Sequence, residues 1–123
     1  ILASVIANAF PLQREGGVRR SLELLGARLD RGFNILIYPE GRLTVGGPLQ
    51  PFKAGAGMIA VEGGTPIVPV KLRINEISII DKRRLPSHIR GDVELVIGEP
   101  IYFDADTDHA TATTRLEAAV AAL

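Results

Sequence analysis

The sequence predicts an α/β fold, in which a largely parallel (mixed) sheet is flanked by helices. The apolar stretches between residues 18 and 72 follow one another as helix, strand, helix, strand, and this alternation is typical of parallel sheets. Glycine and proline stand at the ends of these stretches, where they interrupt regular structure. At 123 residues, the chain is expected to be a single domain large enough for a hydrophobic core.

The first predicted elements are a strand and a helix. Residues 1–8 are apolar and include β-branched side chains, which favour a strand. A helix is expected from Val18 to Arg31, and Gly32 is well placed to end it. Its apolar stripe recurs at positions i, i+4, i+7 and i+11. The stripe consists of Val18, Leu22, Leu25 and Leu29.

A second strand, helix and strand follow. The apolar run Asn34–Tyr38 predicts a buried strand, and Pro39 ends it because proline cannot donate to a ladder. After a loop over residues 43–51, a short helix carries Met58, Ile59 and Val61 and ends at Gly63-Gly64. Residues 65–72 are expected to form another buried strand.

The C-terminal part, residues 92–123, is expected to add one strand and one helix. Val93, Leu95 and Ile97 alternate with other residues, which predicts a half-buried strand. The helix is expected to begin at a cap provided by Asp104, Asp106 or Thr107. Its apolar face carries Leu116, Val120 and Leu123.

Composition excludes several classes of function. The formal net charge is zero, so nucleic acid is not an expected partner. Cysteine is absent, which excludes disulfides, thiolate metal sites and a cysteine nucleophile. No run approaches the roughly 18 apolar residues of a membrane span. Since residues 1–7 look like an interior strand and no signal peptide precedes them, we expect a longer protein cut on the N-terminal side.

The residues that follow the Asn34–Tyr38 strand are the first candidates for a site. Glu40, Gly41 and Arg42 come at its carboxyl end, where open α/β sheets usually bind ligands. Gly41 allows a turn or a close approach to a ligand. The alternative interpretation is an exposed ion pair between Glu40 and Arg42, worth about 0–1 kcal/mol.

Three stretches, in order, resemble sequence blocks of the glycerophospholipid acyltransferase family. Phe10–Arg14 resembles the second block, Tyr38–Gly41 the third and Pro66–Val70 the fourth. The stretch Phe52-Lys53-Ala54-Gly55 also fits. The resemblance implies a glycerol-3-phosphate acyltransferase-like fold, truncated at its N-terminus, with the chain as one partial acyltransferase domain over residues 1–123 whose blocks lie within residues 10–70.

The resemblance also implies a reaction, acyl transfer from an acyl-CoA or acyl-carrier-protein thioester to a lysophospholipid hydroxyl in phospholipid synthesis. The thioester is a co-substrate, and no cofactor or metal is expected. The family's first block, His-x4-Asp, supplies the general base. Neither His88 nor His109 fits that block by spacing or position. We therefore expect the block upstream of Ile1 and no activity from this chain alone.

The acceptor-binding residues carried over from the family are Arg14, Glu40, Gly41, Arg42 and Lys53. An arginine matches a phosphate through its fork of donors, whereas Glu40 would orient an arginine or accept from a hydroxyl. The family usually has Gly-Thr-Arg where this chain has Gly41-Arg42-Leu43, so the arginine comes one residue early. Either Arg42 does the work of the usual arginine, or the phosphate site differs from that of the family. For Arg14 the alternative is an exposed loop arginine.

The resemblance places the protein at the cytoplasmic side of a membrane, peripherally or as part of a membrane protein. Residues 82–84, Lys-Arg-Arg, are either a solvated connection or a contact with anionic headgroups. The expected partners are a lysophospholipid acceptor, an acyl thioester donor and the missing N-terminal part of the protein. Two other functions stay open, a non-catalytic acyltransferase-like lobe that binds or scaffolds and a generic α/β phosphoester-binding domain.

Overall fold

The computed structural model describes residues 18–42, 48–75 and 92–123. These residues form three helices and one two-stranded sheet. In chain order the elements are α1 (Val18–Leu29), α2 (Gly55–Glu62), β1 (Val70–Asn75), β2 (Asp92–Ile97) and α3 (His109–Ala121).

Helix α1 confirms the predicted helix, and it ends two residues before the predicted Arg31. Leu25, at the centre of the predicted stripe, is only 2% exposed. Gly32 has a φ of +78°, and its N–H donates to the Leu29 carbonyl at 2.8 Å. A left-handed glycine of this kind is a common way to end a helix, because the backbone carbonyls of the last turn gain partners.

Helices α2 and α3 pack against each other at short range and form the best buried part of the described chain. Ala60 of α2 is 2% exposed, while Ala112 and Leu116 of α3 are 0% and 6% exposed. The Gly57 N–H donates to Thr113 Oγ1 at 3.1 Å. Small side chains at the contact let the two backbones approach, so backbone and alanine methyl groups pack closely here beside the larger Leu116 side chain.

The N-terminal cap of α3 differs from the prediction. Asp108, not Asp104, Asp106 or Thr107, caps the helix, and its Oδ2 accepts from the Thr111 N–H at 2.9 Å. A cap must stand immediately before the first helical residue to reach the N–H three positions on, and His109 begins the helix. Apolar periodicity located the helix but left its first turn undetermined.

The sheet pairs β1 with β2 in antiparallel register, from Val70 opposite Ile97 to Asn75 opposite Asp92. An isolated bridge between Ile67 and Ile101 continues the pairing. The predicted strand over residues 65–72 is confirmed from Val70 onward, but its predicted burial is wrong, since Val68, Val70 and Leu72 are 46%, 37% and 53% exposed. Pro69 has no N–H to donate, and its carbonyl accepts from the Gly98 N–H at 2.9 Å, which places the proline between the bridge and the regular ladder.

A parallel sheet is not confirmed, because the sheet in the described part of the chain is antiparallel. The prediction of a buried strand over Asn34–Tyr38 is wrong, since residues 34–38 have no strand partner among the described residues. Leu36 and Tyr38 are 73% and 71% exposed. An apolar run indicates a tendency to be buried, but it does not specify a pairing partner. The predicted strand over residues 1–8 lies outside the described residues.

The strand β2 is confirmed, but the predicted half-burial of its alternating face is wrong. Val93, Leu95 and Ile97 are 58%, 56% and 63% exposed. In the β1–β2 register Leu72 lies opposite Leu95 and Val70 opposite Ile97, so these side chains share one face of the sheet. Alternation predicted which residues share a face, whereas burial depends on what packs over it.

The described helices are short. The longest, α3, has 13 residues, and none in the described ranges combines the length and apolar character needed to cross a bilayer.

Candidate functional site

The site is built on a tight turn at Tyr38–Gly41. The Gly41 N–H donates to the Tyr38 carbonyl at 3.1 Å, which closes a four-residue turn with Pro39 in its second position. Proline favours that position because its φ is already fixed. Gly41 has a φ of +64°, a conformation that glycine adopts without steric cost. The Pro-Glu-Gly order thus fixes the backbone from which the Glu40 and Arg42 side chains emerge.

The segment Gln50–Lys53 lies against this turn and is held by its backbone N–H groups. The Gln50 N–H donates to Glu40 Oε2 at 3.1 Å, and the Lys53 N–H donates to the Pro39 carbonyl at 2.8 Å. The Phe52 N–H donates to a third partner, Glu117 Oε2, at 2.8 Å. Because Pro51 has no N–H, every backbone donor of the segment has an acceptor.

Helix α3 therefore supports the site from a distance in sequence. Glu117 is half-buried and lies on the helix that packs against α2, and α2 begins two residues after Lys53. A carboxylate that accepts from a backbone N–H makes one of the stronger hydrogen bonds in proteins. The contact ties the Phe52–Lys53 backbone to the buried α2–α3 pair.

One acidic and two basic side chains meet at the turn. The Arg42 guanidinium donates to Gln50 Oε1. The stem of Lys53 passes over Gly41, so that a Cβ atom added to Gly41 would lie 3.2 Å from Lys53 Cγ. Glu40 is half-buried, whereas Arg42 and Lys53 are exposed. The cluster Glu40, Arg42 and Lys53 carries one negative and two positive charges, a balance that favours an anionic ligand.

The structure brings together four of the five predicted binding residues. Glu40, Gly41, Arg42 and Lys53 meet through the contacts described above. Arg14 lies outside the described residues, and so does His88. His109 makes a different contact, in which its Nε2 lies 3.1 Å from Glu62 Oε1 across the α2–α3 contact.

Two residues of the site were missed by the sequence analysis. Gln50 stands directly before the Pro51-Phe52-Lys53 stretch, so its position gave a weak signal that was not used. Glu117 gave none, because it is separated from Phe52 by 65 positions and its neighbours in sequence show only an ordinary helical pattern.

No group of three or more His, Asp or Glu side chains in the described ranges is arranged to hold a metal ion. The described side chains at the turn offer hydrogen-bond donors, one carboxylate and two positive charges. Amide and guanidinium donors suit phosphate or carboxylate oxygens, while Glu40 suits a hydroxyl or an amine.

The family model described as Acyltransferase matches residues 2–73. The match includes α1, the Tyr38–Gly41 turn, the Gln50–Lys53 segment and α2. The chain belongs to the glycerophospholipid acyltransferase family. The sequence resemblance to this family is thereby confirmed, and Glu40, Gly41, Arg42 and Lys53, the described candidates for binding, lie within the matched range.

Three curated relatives agree with the family. A chloroplastic 1-acyl-sn-glycerol-3-phosphate acyltransferase of Brassica napus is 35% identical over 86 residues, which cover 69% of this chain and 23% of that protein. The human 1-acyl-sn-glycerol-3-phosphate acyltransferase beta is 42% identical over 59 residues, covering 47% of this chain and 21% of the human protein. A lyso-ornithine lipid O-acyltransferase of Pseudomonas aeruginosa is 30% identical over 114 residues, which cover 81% of this chain and 44% of that protein.

This acyltransferase chain spans less than half the length of each of these relatives. No solved structure matches it significantly. The alignment with the Pseudomonas protein is the longest of the three, and it extends beyond the range of the family model.

Proposed function

We propose that this chain is the acceptor-binding part of an O-acyltransferase that acylates a lysophospholipid in phospholipid synthesis. The acceptor is 1-acyl-sn-glycerol 3-phosphate or a close analogue, and the donor is an acyl-CoA or acyl-carrier-protein thioester. The observation that carries the proposal is the convergence of Glu40, Arg42 and Lys53 on one turn that Gln50 bridges.

Charge and exposure support a phosphate headgroup at this turn. Arg42 and Lys53 are exposed to an incoming ligand, and a guanidinium has more N–H donors than its bond to Gln50 uses. Lys53 adds a point charge that binds phosphate oxygens without demanding one geometry. Glu40 is placed to accept from a glycerol hydroxyl. Two relatives that are named for a glycerol 3-phosphate acceptor support the same assignment.

The reaction moves an acyl group from the sulfur of the thioester donor to the hydroxyl oxygen of the acceptor. A general base removes the proton of the acceptor hydroxyl, and the hydroxyl oxygen attacks the thioester carbonyl. The C–S bond then breaks, and the thiol leaves with the proton. The role of this chain is to hold the acceptor headgroup, which converts a collision between two substrates into a reaction of aligned partners.

The general base is proposed to come from outside residues 1–123, because neither of the two histidines belongs to a His-x4-Asp sequence. His109 is engaged with Glu62 at the α2–α3 contact. We accordingly propose that the chain binds acceptor without turnover. We propose separately that the protein containing it acts at the cytoplasmic side of a membrane. A second candidate is a non-catalytic acyltransferase-like lobe of a multidomain protein, which binds or scaffolds without turnover.

An alternative acceptor is a lyso-ornithine lipid. The relative named for it aligns with more of this chain than the other two, and Arg42 stands one position before the family's usual arginine. Ornithine carries an ammonium and a carboxylate, which fit Glu40 and the Arg42–Lys53 pair of charges. The two acceptors therefore differ in the work they require from Glu40, which would contact an ammonium in one case and a hydroxyl in the other.

Thiol release from acyl-CoA tests the reaction. Residues 1–123 contain no cysteine, so they add no thiol signal of their own, and for the complete protein the signal without acceptor is subtracted as background. We expect no release with residues 1–123 alone, and release that depends on 1-acyl-sn-glycerol 3-phosphate with the complete protein. Lyso-ornithine lipid as the better acceptor would support the alternative substrate. Binding of acceptor by a complete protein that never releases thiol would support the non-catalytic lobe.

A further inference from the structure

Gln50 makes hydrogen bonds to both Glu40 and Arg42, the acidic and one of the basic side chains at the turn. Its backbone N–H donates to Glu40 Oε2 at 3.1 Å, and its side-chain Oε1 accepts from the Arg42 guanidinium. Its Nε2 donates to the Pro48 carbonyl at 3.1 Å. One half-buried residue therefore contacts both charged side chains that flank Gly41.

The amide group of Gln50 is fixed at both of its ends. Since Nε2 is bound to the Pro48 carbonyl, the oxygen is directed to the side on which Arg42 donates. Each end of the amide makes the bond that its chemistry allows, because the nitrogen only donates and the oxygen only accepts. The position of the Arg42 guanidinium is thus set by a side chain that is itself held.

A neutral partner matters for an arginine that binds anions. A carboxylate in the position of Oε1 would neutralise the guanidinium and compete with an incoming phosphate. An amide oxygen restrains the guanidinium but does not neutralise its positive charge. Holding a long side chain in one place before binding also lowers the entropy that the ligand must overcome.

We propose that Gln50 is a positioning residue for acceptor recognition, which holds the Arg42 guanidinium ready for the anionic headgroup. This inference rests on the proposed function, because it assigns the headgroup to the turn. It goes beyond that proposal by naming the residue that fixes the position of the Arg42 guanidinium. Gln50 itself is not assigned a contact with the acceptor.

Substitution of the side chain separates the two roles of Gln50. Gln50→Met keeps the length of the side chain and the backbone N–H that binds Glu40, but it removes the oxygen that binds Arg42. Gln50→Asn is a second variant, which keeps the amide and shortens its reach by one methylene. In the 123-residue chain, sn-glycerol 3-phosphate is titrated against each variant, and melting temperatures confirm that each variant is folded.

We expect Gln50→Met to weaken binding of sn-glycerol 3-phosphate by about five- to tenfold, and Gln50→Asn to weaken it by a smaller factor. Arg42→Ala should weaken it at least as much as Gln50→Met. The double variant Arg42→Ala/Gln50→Met should bind within about twofold of Arg42→Ala, because Gln50 acts through Arg42.

Three outcomes overturn the inference. Wild-type affinity in both Gln50 variants would show that the bond to Arg42 has no role in recognition. Losses that add in the double variant would mean that Gln50 acts independently of Arg42. Wild-type affinity in Arg42→Ala would remove Arg42, and Gln50 with it, from the site. If the wild-type chain shows no saturable binding at all, the proposed function fails first, and that result differs from each of the other three.

Discussion

The α2–α3 pair and the β1–β2 pair are stabilised in different ways. Between the helices, Ala60, Ala112 and Leu116 are almost fully buried, whereas Leu72 and Leu95 on the paired strands are 53% and 56% exposed. The strands depend on their backbone ladder, while the helices depend on close packing. The candidate site is attached to the helices through Glu117, so the better packed region is the one that holds the backbone of the candidate site.

The same substitution in both regions gives the largest expected contrast. Leu116→Ala should lower the free energy of unfolding by about 2–5 kcal/mol, because it removes a buried side chain and leaves a cavity. Leu95→Ala should lower it by less than about 1 kcal/mol, since that side chain is already more than half exposed. Urea unfolding of the two variants measures both values. Equal losses would mean that the sheet face is packed as well as the helix contact.

A glycine pair inside α2 tests how close the two helices are. A Cβ atom on Gly57 would overlap the His109 carbonyl and Thr113 Oγ1 and would lie 2.7 Å from Thr113 N, whereas a Cβ on Gly55 meets nothing within 4 Å. We expect Gly57→Ala to destabilise the chain by about 1–3 kcal/mol. Gly55→Ala should stabilise it by up to about 1 kcal/mol.

Urea unfolding again measures the difference between these two alanine variants. A stabilising Gly57→Ala would show that the helices are further apart than the bond from the Gly57 N–H to Thr113 Oγ1 requires.

The link between α3 and the site predicts a smaller effect. Glu117→Ala removes the acceptor of the Phe52 N–H and should cost about 1 kcal/mol of unfolding free energy. Glu117→Gln retains an acceptor oxygen and should recover more than half of this loss. Hydrogen exchange of the Phe52 and Lys53 amides should accelerate in Glu117→Ala. Unchanged exchange in that variant would mean that the segment Gln50–Lys53 is held without α3.

The smallest expected effect lies at the exposed start of α3. The hydrogen bond from the Thr111 N–H, followed by that from its hydroxyl, holds the pKa of Asp108 below its ordinary value of 3.8. Because the pKa of Asp108 is lower in the folded than in the unfolded chain, its ionised carboxylate stabilises the fold at any pH above the pKa of the unfolded chain. This stabilisation is lost as the pH falls through the pKa of the folded chain. Asp108→Asn keeps the acceptor oxygen but does not titrate.

The difference in melting temperature between wild type and Asp108→Asn should therefore favour wild type above pH 4 and shrink toward pH 2. All other carboxylates are common to both proteins and cancel in this difference. A gap that stays constant over this range would show that the ionised form of Asp108 does not contribute to the cap.

Local signals in the sequence predicted the elements that depend on local chemistry. The glycines after α1 and α2 marked both helix ends, and the Pro-Glu-Gly order marked the turn on which the site is built. The antiparallel pairing of β1 with β2, the exposure of Leu36 and the choice of Asp108 as cap were not predicted. Each depends on partners in space or on the exact first residue of a helix, which hydrophobic periodicity does not specify.

The candidate site shows the same difference between residues predicted from local sequence and residues placed by contacts in space. Glu40 and Gly41 were predicted from a recognisable block, Arg42 from its place directly after that block, and Lys53 from the stretch that follows, and the structure brings these four together. Gln50 and Glu117 act through hydrogen bonds to residues 10 and 65 positions away, so no window of sequence contains both partners and their geometry. Arg14 stays a prediction, as it lies outside the described residues.

The central claim is that Glu40, Arg42 and Lys53, which the Tyr38–Gly41 turn and the Gln50–Lys53 segment hold together, bind the acceptor headgroup. Titration of the ¹⁵N-labelled chain with sn-glycerol 3-phosphate, followed by NMR, tests it directly, with glycerol and inorganic phosphate as separate controls. We predict saturable shifts centred on the amides of Gly41, Arg42, Gln50 and Lys53, tighter binding than for either control, and loss of saturation in Arg42→Ala/Lys53→Ala. Shifts centred elsewhere, or unchanged binding in that double variant, would contradict it.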